Sequence, residues 1–311
     1  MAGSEEPEVT GGVCVVDKPA GPTSHDVVAG ARRRLGTRRV GHAGTLDPGA
    51  SGVLVLGVGR ATRLLRYLTV LPKSYRGEVV LGVDTDTLDA SGRVVATHDM
   101  AGVTLSEARA AAASLVGELQ QVPPMVSAIR VGGRRLHELA RAGVEVERAA
   151  RPVTVTRFDV TALSPLHTGG VPAAGPVLAV EVDCSSGTYV RSLAAELGRL
   201  LGGGAHLRNL CRTAVGSFTL DRACAPDDLE VLAPLAAVTH LARVAVDDEV
   251  AELVARGTRL VRTGQSAHFA GEGPWAVTAA STGALLAVYQ ARGARAHPAV
   301  VLAQPAPPPP G

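Results

Sequence analysis

The chain has 311 residues, of which 46% are hydrophobic and 19% charged, with a net charge of +2; this suits a soluble globular protein with one large domain and a smaller one, at roughly 100–200 residues per domain. No stretch approaches the roughly 20 consecutive apolar residues of a membrane span, and Met1 to Thr10, with Glu5, Glu6 and Glu8, is neither a signal nor a transit peptide. Cys14, Cys184, Cys211 and Cys224 are scattered without a C-x-x-C pair, which speaks against a zinc site or disulfide framework and for reduced thiols in a cytoplasm.

Gly12 to Val16 reads as a short buried strand, closed by Asp17-Lys18-Pro19 and a Gly21-Pro22 turn. Ser24 reads as the N-cap of a helix to about Leu35, with Gly36 as its stop and an arginine cluster at its end. Val53 to Leu56 is a second buried strand, Arg60 to Leu68 a helix, and Tyr75 to Val83 an alternating strand. Thr104-Leu105-Ser106-Glu107 is a capping box opening a helix to about Leu119, broken by Gln121-Val122-Pro123-Pro124. The stretch from Arg130 to Arg151 is rich in arginine and glycine, with a short helix over Leu136 to Arg141. Pro152 to Ala162 and Val177 to Val182 read as strands. Val190 to Leu201 is an amphipathic helix with Leu193, Leu197, Leu200 and Leu201 on its apolar side, ended by Gly202-Gly203-Gly204. From about Leu232, short apolar strands at Arg243 to Val246, Trp275 to Val277 and Leu285 to Tyr289 alternate with turns and predict a small β-rich module. Gln304 to Gly311 is a proline-rich run that cannot pack a core.

Charge is unevenly placed. Between Ala31 and Arg76 stand ten basic residues and a single acid, Asp47, a local charge of +9 against +2 for the whole chain. Only Lys18 and Lys73 are lysines, so the positive charge is nearly all arginine, the better phosphate ligand and base-stacking cation. Taken alone, such a segment is either a solvated basic face or a surface for a polyanion. The lone carboxylate is harder to place. Gly44-Thr45-Leu46-Asp47-Pro48-Gly49 can be an ordinary Asp-Pro-Gly turn, with Pro48 holding Asp47 extended and the glycines permitting a tight loop. A face that grips phosphates gains nothing from a carboxylate, however, so an aspartate there is better explained as a reactant.

Two motifs are decoys. Gly57-Val58-Gly59 after a buried strand imitates a dinucleotide fingerprint, with Glu78 downstream, but Thr62 stands where the third glycine belongs. Asp84-Thr85-Asp86-Thr87-Leu88-Asp89 imitates the start of a calcium loop without the glycine or the closing glutamate. The sequence has no P-loop and no His-Glu-x-x-His zinc motif.

Gly41-His42-Ala43-Gly44-Thr45-Leu46-Asp47-Pro48, followed by Gly52-Val53-Leu54, resembles the signature of the bacterial tRNA pseudouridine-55 synthase (TruB) family. Further matches follow in the same order: Asp17-Lys18-Pro19 with Gly21-Pro22-Thr23-Ser24; Lys73-Ser74-Tyr75; Leu81-Gly82 with Thr85 to Asp89; Gln121-Val122-Pro123-Pro124; Cys184 to Arg191; and Gly204-Ala205-His206 leading to Leu210-Cys211-Arg212. The resemblance covers about residues 12–220.

The resemblance implies an α+β pseudouridine synthase fold with a mixed, largely antiparallel central sheet flanked by helices, plus a small C-terminal PUA-like module. The expected divisions are a disordered tail at 1–10, a catalytic domain at 11–231 with an RNA-binding insert at about 121–151, the small domain at 232–303, and a disordered tail at 304–311. It further implies that Asp47 is the nucleophile, attacking a flipped-out uridine at the ribose C1′ or at C6; that Tyr75 stacks on the extruded uracil; and that Arg191 pairs with Asp47. Tyr189 and Leu210 would wall the pocket, Lys18 would contact substrate, and His42 would fill the gap left in the RNA stack. Arg32, Arg33, Arg38, Arg39, Arg60 and Arg63 would hold the RNA backbone. The expected partner is the T-arm of tRNA, with no cofactor, no metal, no membrane and no obligate protein partner. Two other readings stay open, a non-catalytic RNA-binding or RNA-folding protein and a guide-RNA-dependent synthase.

Overall fold

A computed structural model describes residues 11–127, 130–131, 134–135, 146–164, 175–262 and 269–304. The expected tail at 1–10, residues 305–311 of the expected C-terminal tail and the expected helix over Leu136 to Arg141 lie outside the described residues, as do the Gly132-Gly133 segment and residues 165–174 and 263–268.

The first half runs β1 (Gly12–Lys18), α1 (Ser24–Arg34), β2 (Val40–His42), β3 (Ser51–Val58), a 3-10 turn (Gly59–Leu64) into α2 (Leu65–Thr69), and β4 (Lys73–Leu81). The paired strands β5 (Val83–Thr85) and β6 (Val94–Thr97) follow, then α3 (Leu105–Ser114), β7 (Gly117–Gln121) and the short pair β8 (Arg130–Val131) and β9 (Arg134–Arg135). After them come β10 (Arg151–Ser164), β11 (Val177–Cys184), α4 (Val190–Leu200), β12 (Ala205–Val215) and β13 (Phe218–Thr219). The main sheet has the order β1-β3-β12-β4-β11-β10-β7, with β2 added on β3 and β13 on β12. Its neighbours are antiparallel except β3 and β12, which run parallel. The chain is thus α+β with a mixed, largely antiparallel sheet.

Helices α3 and α4 cover one face of that sheet. Ala108, Ala112 and Leu115 from the first, and Leu193, Ala194 and Leu197 from the second, pack against Val79, Leu81, Phe158, Leu178, Val182 and Leu207 of the strands. Burying a side chain such as Leu193 or Leu197 contributes about 1.5–3 kcal/mol. These contacts fix where α4 begins, with Tyr189 at its N-cap and Arg191 as its second residue.

Several local expectations are corrected. The cap of α1 is Thr23, whose hydroxyl accepts from the Asp26 N–H while Asp26 answers in a capping box; Ser24 is instead drawn into the protein. The residues expected as one helix from Arg60 divide into a 3-10 turn and a single turn of α-helix. Helix α3 opens on the expected capping box but stops at Ser114, because Gly117 turns the chain at φ 119° and Gly117 to Gln121 pair with β10 as a strand. The proline pair therefore ends a strand, not a helix.

Beyond the main sheet, β14 (Ala242–Val246), α5 (Asp248–Ala255), β15 (Leu260–Val261), β16 (Trp275–Ala279), β17 (Leu285–Arg292) and β18 (Arg295–Val301) build a second sheet in the order β14-β16-β17-β18-β15. The β-rich module expected here is present, with one helix that the strand pattern did not announce. Its Ala276, Leu285, Val288 and Val300 share a core with Val13, Val53, Leu64, Leu68 and Val215, so it is packed on the first sheet. No helix among the described residues is long and apolar enough to cross a membrane.

Candidate active site

The loop between β2 and β3 carries Asp47, and four side chains from elsewhere hold it. Gly44 turns it at φ 104°. Arg212 Nη2 donates to the Gly44 carbonyl at 3.1 Å, and Arg212 Nε to the Val53 carbonyl at 2.8 Å. Ser24 Oγ accepts from the Leu46 N–H at 2.8 Å and donates to the Leu46 carbonyl at 3.1 Å. Lys18, fully buried, donates to the carbonyls of Pro19 and Pro22 at 2.8 Å and of Pro48 at 3.3 Å. Asp47 itself meets Arg191, with Nε 3.0 Å from Oδ2.

Arg191 is the second residue of α4 and is buried. Besides Asp47 it faces Asp89 at 3.7 Å and donates to the carbonyls of Thr87 at 2.8 Å and Val126 at 2.9 Å. The guanidinium fork is thereby fixed in one orientation. Asp89 belongs to the run that imitates a calcium loop; its carboxylate accepts from Thr87 and Ser91 and lies beside Arg191. Among the described residues no cluster of His, Cys, Asp or Glu could hold a metal ion.

Tyr75 and Lys73 alternate onto one face of β4, the strand flanked by β12 and β11. Tyr75 stands opposite Arg212 on one neighbour and Val182 on the other. On β12 a bulge after Arg208, with Asn209 at φ 51°, breaks the ladder and sets Leu210 out of register. Leu210 lies on this bulge. Asp47, Tyr75, Tyr189, Arg191 and Leu210 all line one cavity of about 280 Å³, together with Lys73, Ser127, Thr188 and Arg212. Ligand clefts commonly span about 300–1,000 Å³, so this one suits a single nucleoside.

The cavity polarises its own groups. Dehydration is the strongest influence on Asp47 and pushes its carboxyl above the usual carboxylate range; Arg191 opposes this and Asp89 reinforces it. Burial pushes the Tyr75 phenol up against the pull of Arg212. Burial, with Arg212 adding to it, lowers the Lys73 ammonium to about 8.

Three sequence expectations find different surroundings. Lys18 spends its ammonium hydrogens on the three carbonyls above and does not line the cavity, so it buttresses the Asp47 loop. His42, on β2, also lies outside the cavity lining; burial lowers its imidazole, against a hydrogen bond to the Gly44 backbone that raises it. Of the arginines expected on the RNA backbone, Arg33, Arg38, Arg39 and Arg63 are exposed. Arg32 donates to the Val40 carbonyl, Arg60 to Ala303 and Arg63 to Val301, so these three tie the chain to itself and the last two tie the second sheet to the first. Sequence reasoning passed over Gln121, Lys73 and Arg212, although all three stand inside quoted motifs.

The TruB family pseudouridylate synthase (N-terminal domain) model matches residues 32–190. A tRNA pseudouridine synthase B of Arthrobacter sp. (strain FB24) is 48% identical, over 94% of this chain and 96% of its own. Another, of Rhodococcus jostii (strain RHA1), is 47% identical, over 97% of this chain and 98% of its own. Among solved structures, a chain from a Cbf5-Nop10-Gar1 complex superposes with a TM-score of 0.71 at 25% identity, over 96% of this chain and 88% of that one. The fold is that of a pseudouridine synthase, an isomerase. The chain belongs to the TruB family of pseudouridylate synthases.

Proposed function

We propose that this enzyme converts uridine 55 in the T-loop of tRNA to pseudouridine, with Asp47 as the nucleophile toward a flipped-out base. The observation that carries the reading is the Asp47–Arg191 contact at 3.0 Å on the wall of a nucleoside-sized cavity that also presents Tyr75. The names of its relatives, tRNA pseudouridine synthase B, supply the substrate.

The reaction must break the C1′–N1 bond, turn the uracil and rejoin it through C5, releasing the C5 proton. Arg191 favours the ionised form of Asp47 and aims it. The carboxylate then attacks at C1′ or at C6. Tyr75 offers a flat face to the uracil, and Tyr189 and Leu210 close the sides. The target must leave its stack to reach Asp47, which costs a few kcal/mol and least in a strained loop. Arg33, Arg38 and Arg39 fix the register through phosphates.

The test is tritium release from tRNA transcript labelled at uracil C5. Wild type releases one tritium per site, a transcript with cytidine at position 55 releases none, and Asp47→Asn is inert. Normal turnover by Asp47→Asn would overturn the nucleophile. Inertness of the purified wild type on bare transcript would favour a guide-dependent or purely RNA-binding role.

A further inference from the structure

Lys73 lines the cavity, yet it is only 6% exposed. Its ammonium donates to the carbonyls of Thr69 at 2.7 Å and Leu71 at 2.6 Å, which leaves a third N–H for a further partner. The two carboxylates nearby, Asp47 and Asp89, face Arg191. Arg212 adds a second cation at the same end. Both side chains flank Gly44, where an added Cβ would stand 3.7 Å from Arg212 Nη1 and 3.9 Å from Lys73 Cε. Two buried cations side by side without a carboxylate between them are costly, and a methionine would fill the same space without that cost. The lowered Lys73 ammonium, at about 8, records the strain. An arrangement of this kind is explained by an anion that arrives only during the reaction.

We infer that Lys73 is a further catalytic residue, whose remaining N–H donates to O4 of the uracil and stabilises the negative charge that develops there. This rests on the pseudouridine synthase reading of the cavity. It does not depend on which atom Asp47 attacks. When Asp47 bonds to C1′, the C1′–N1 bond breaks and its electron pair leaves with the base, spread over N1, O2 and O4. When Asp47 bonds to C6, the C5–C6 π pair moves to C4–C5 and the carbonyl π pair moves onto O4. Both routes load O4, and Lys73 transfers no proton in either. Arg212 acts behind it, through the field it adds and the Gly44 carbonyl it holds.

A preorganised donor aimed at a developing oxyanion is worth on the order of 10²–10³-fold in rate. Single-turnover isomerisation is to be measured for wild type, Lys73→Met and Lys73→Arg, with uridine or 4-thiouridine at the target and with RNA affinity and melting temperature recorded alongside. Lys73→Met is expected to lose on the order of 10²–10³-fold in rate with RNA affinity retained, and Lys73→Arg to recover part of it. Sulfur at position 4 accepts a hydrogen bond poorly, so 4-thiouridine slows wild type while slowing Lys73→Met no further. Equal proportional slowing of both proteins by sulfur overturns the proposal, as does a folded Lys73→Met within a few-fold of wild type on uridine. Should Lys73→Met not fold, Lys73→Gln replaces it under the same criteria. Wild-type turnover on uridine separates the two levels: its absence refutes the function, whereas its presence with a sulfur penalty shared by the variant refutes only the role of Lys73.

Discussion

Gln121 holds both sides of the Tyr189 peptide backbone, donating from Nε2 to the Tyr189 carbonyl at 3.1 Å and accepting at Oε1 from the Tyr189 N–H at 2.7 Å. The pair joins the end of β7 to the N-cap of α4, two residues before Arg191. Gln121→Leu leaves both backbone groups without partners, at a cost of roughly 1–3 kcal/mol. The expected outcome is a lower urea midpoint and a slower single-turnover rate, with RNA affinity nearly kept. A variant with the wild-type midpoint and rate would show the clasp to be idle.

With Asp47 as the proposed nucleophile, its ionisation should set the acid side of the rate profile. Its carboxyl is raised, chiefly by dehydration, so activity should appear at a higher pH than a carboxyl of pKa about 3.9 would allow. Arg191 opposes the rise, so Arg191→Met should move the acid limb further toward alkaline pH in whatever activity remains. A limb that stays put would exclude Arg191 from the ionisation.

The same shift has a stability consequence of opposite sense. A folded pKa above the unfolded one means that the wild-type contribution is complete at low pH and is lost as pH rises through the folded value. Asp47→Asn, freed of that loss, should be inactive yet melt at or above the wild-type temperature at pH 7, with the advantage fading below about pH 4. Thermal melts across pH 3 to 8, values chosen to bracket the carboxylate range, decide it.

The arginines divide into two groups with separable effects. Arg33→Ala, Arg38→Ala and Arg39→Ala should each lower the slope of log affinity against log salt by about one while leaving stability alone. Arg60→Ala and Arg63→Ala, which release the Ala303 and Val301 carbonyls, should cost roughly 1 kcal/mol of stability and barely alter the slope. Salt-dependent binding and denaturant titrations read the two quantities independently.

Gly52 lies at φ 101°, and a Cβ there would stand 2.2 Å from the Arg212 carbonyl oxygen. It is the point where β3 and β12 run parallel, with Arg212 opposite Gly52. Gly52→Ala carries about 1–3 kcal/mol of backbone strain alone and must push Arg212 away as well. Melting temperature and turnover should fall together; an unaffected Gly52→Ala would show that the two strands can part freely.

What the sequence revealed was chiefly local. The Gly-Thr-Leu-Asp-Pro loop, the buried runs that became β1 and β3, and the amphipathic α4 are written in neighbouring residues, through turn chemistry and periodicity. Ser24 was misread because a serine before an apolar-periodic segment signals a cap, whereas its real partner, Leu46, is 22 residues away. The end of α3 was misplaced because Gly117 to Gln121 has no strand pattern until β10 pairs with it. Lys73 and Arg212 were visible as residues but not as a pair, since only the β4-β12 pairing brings them to one cavity, and Gln121 finds Tyr189 only across 68 residues of chain. Helix α5 had a usable signal, the acidic Asp247-Asp248-Glu249 start, that the surrounding strand texture masked.

The anchoring of the Asp47 loop also orders events during synthesis. Lys18 and Ser24 emerge from the ribosome before Asp47, but Arg191 follows it by more than a hundred residues and Arg212 later still. A growing chain that has made only β1, α1 and the loop lacks both arginines and cannot aim the carboxylate. On the proposed mechanism Asp47 is therefore unarmed until β12 has been made, and a chain released early carries the whole signature segment without the arginines that hold it.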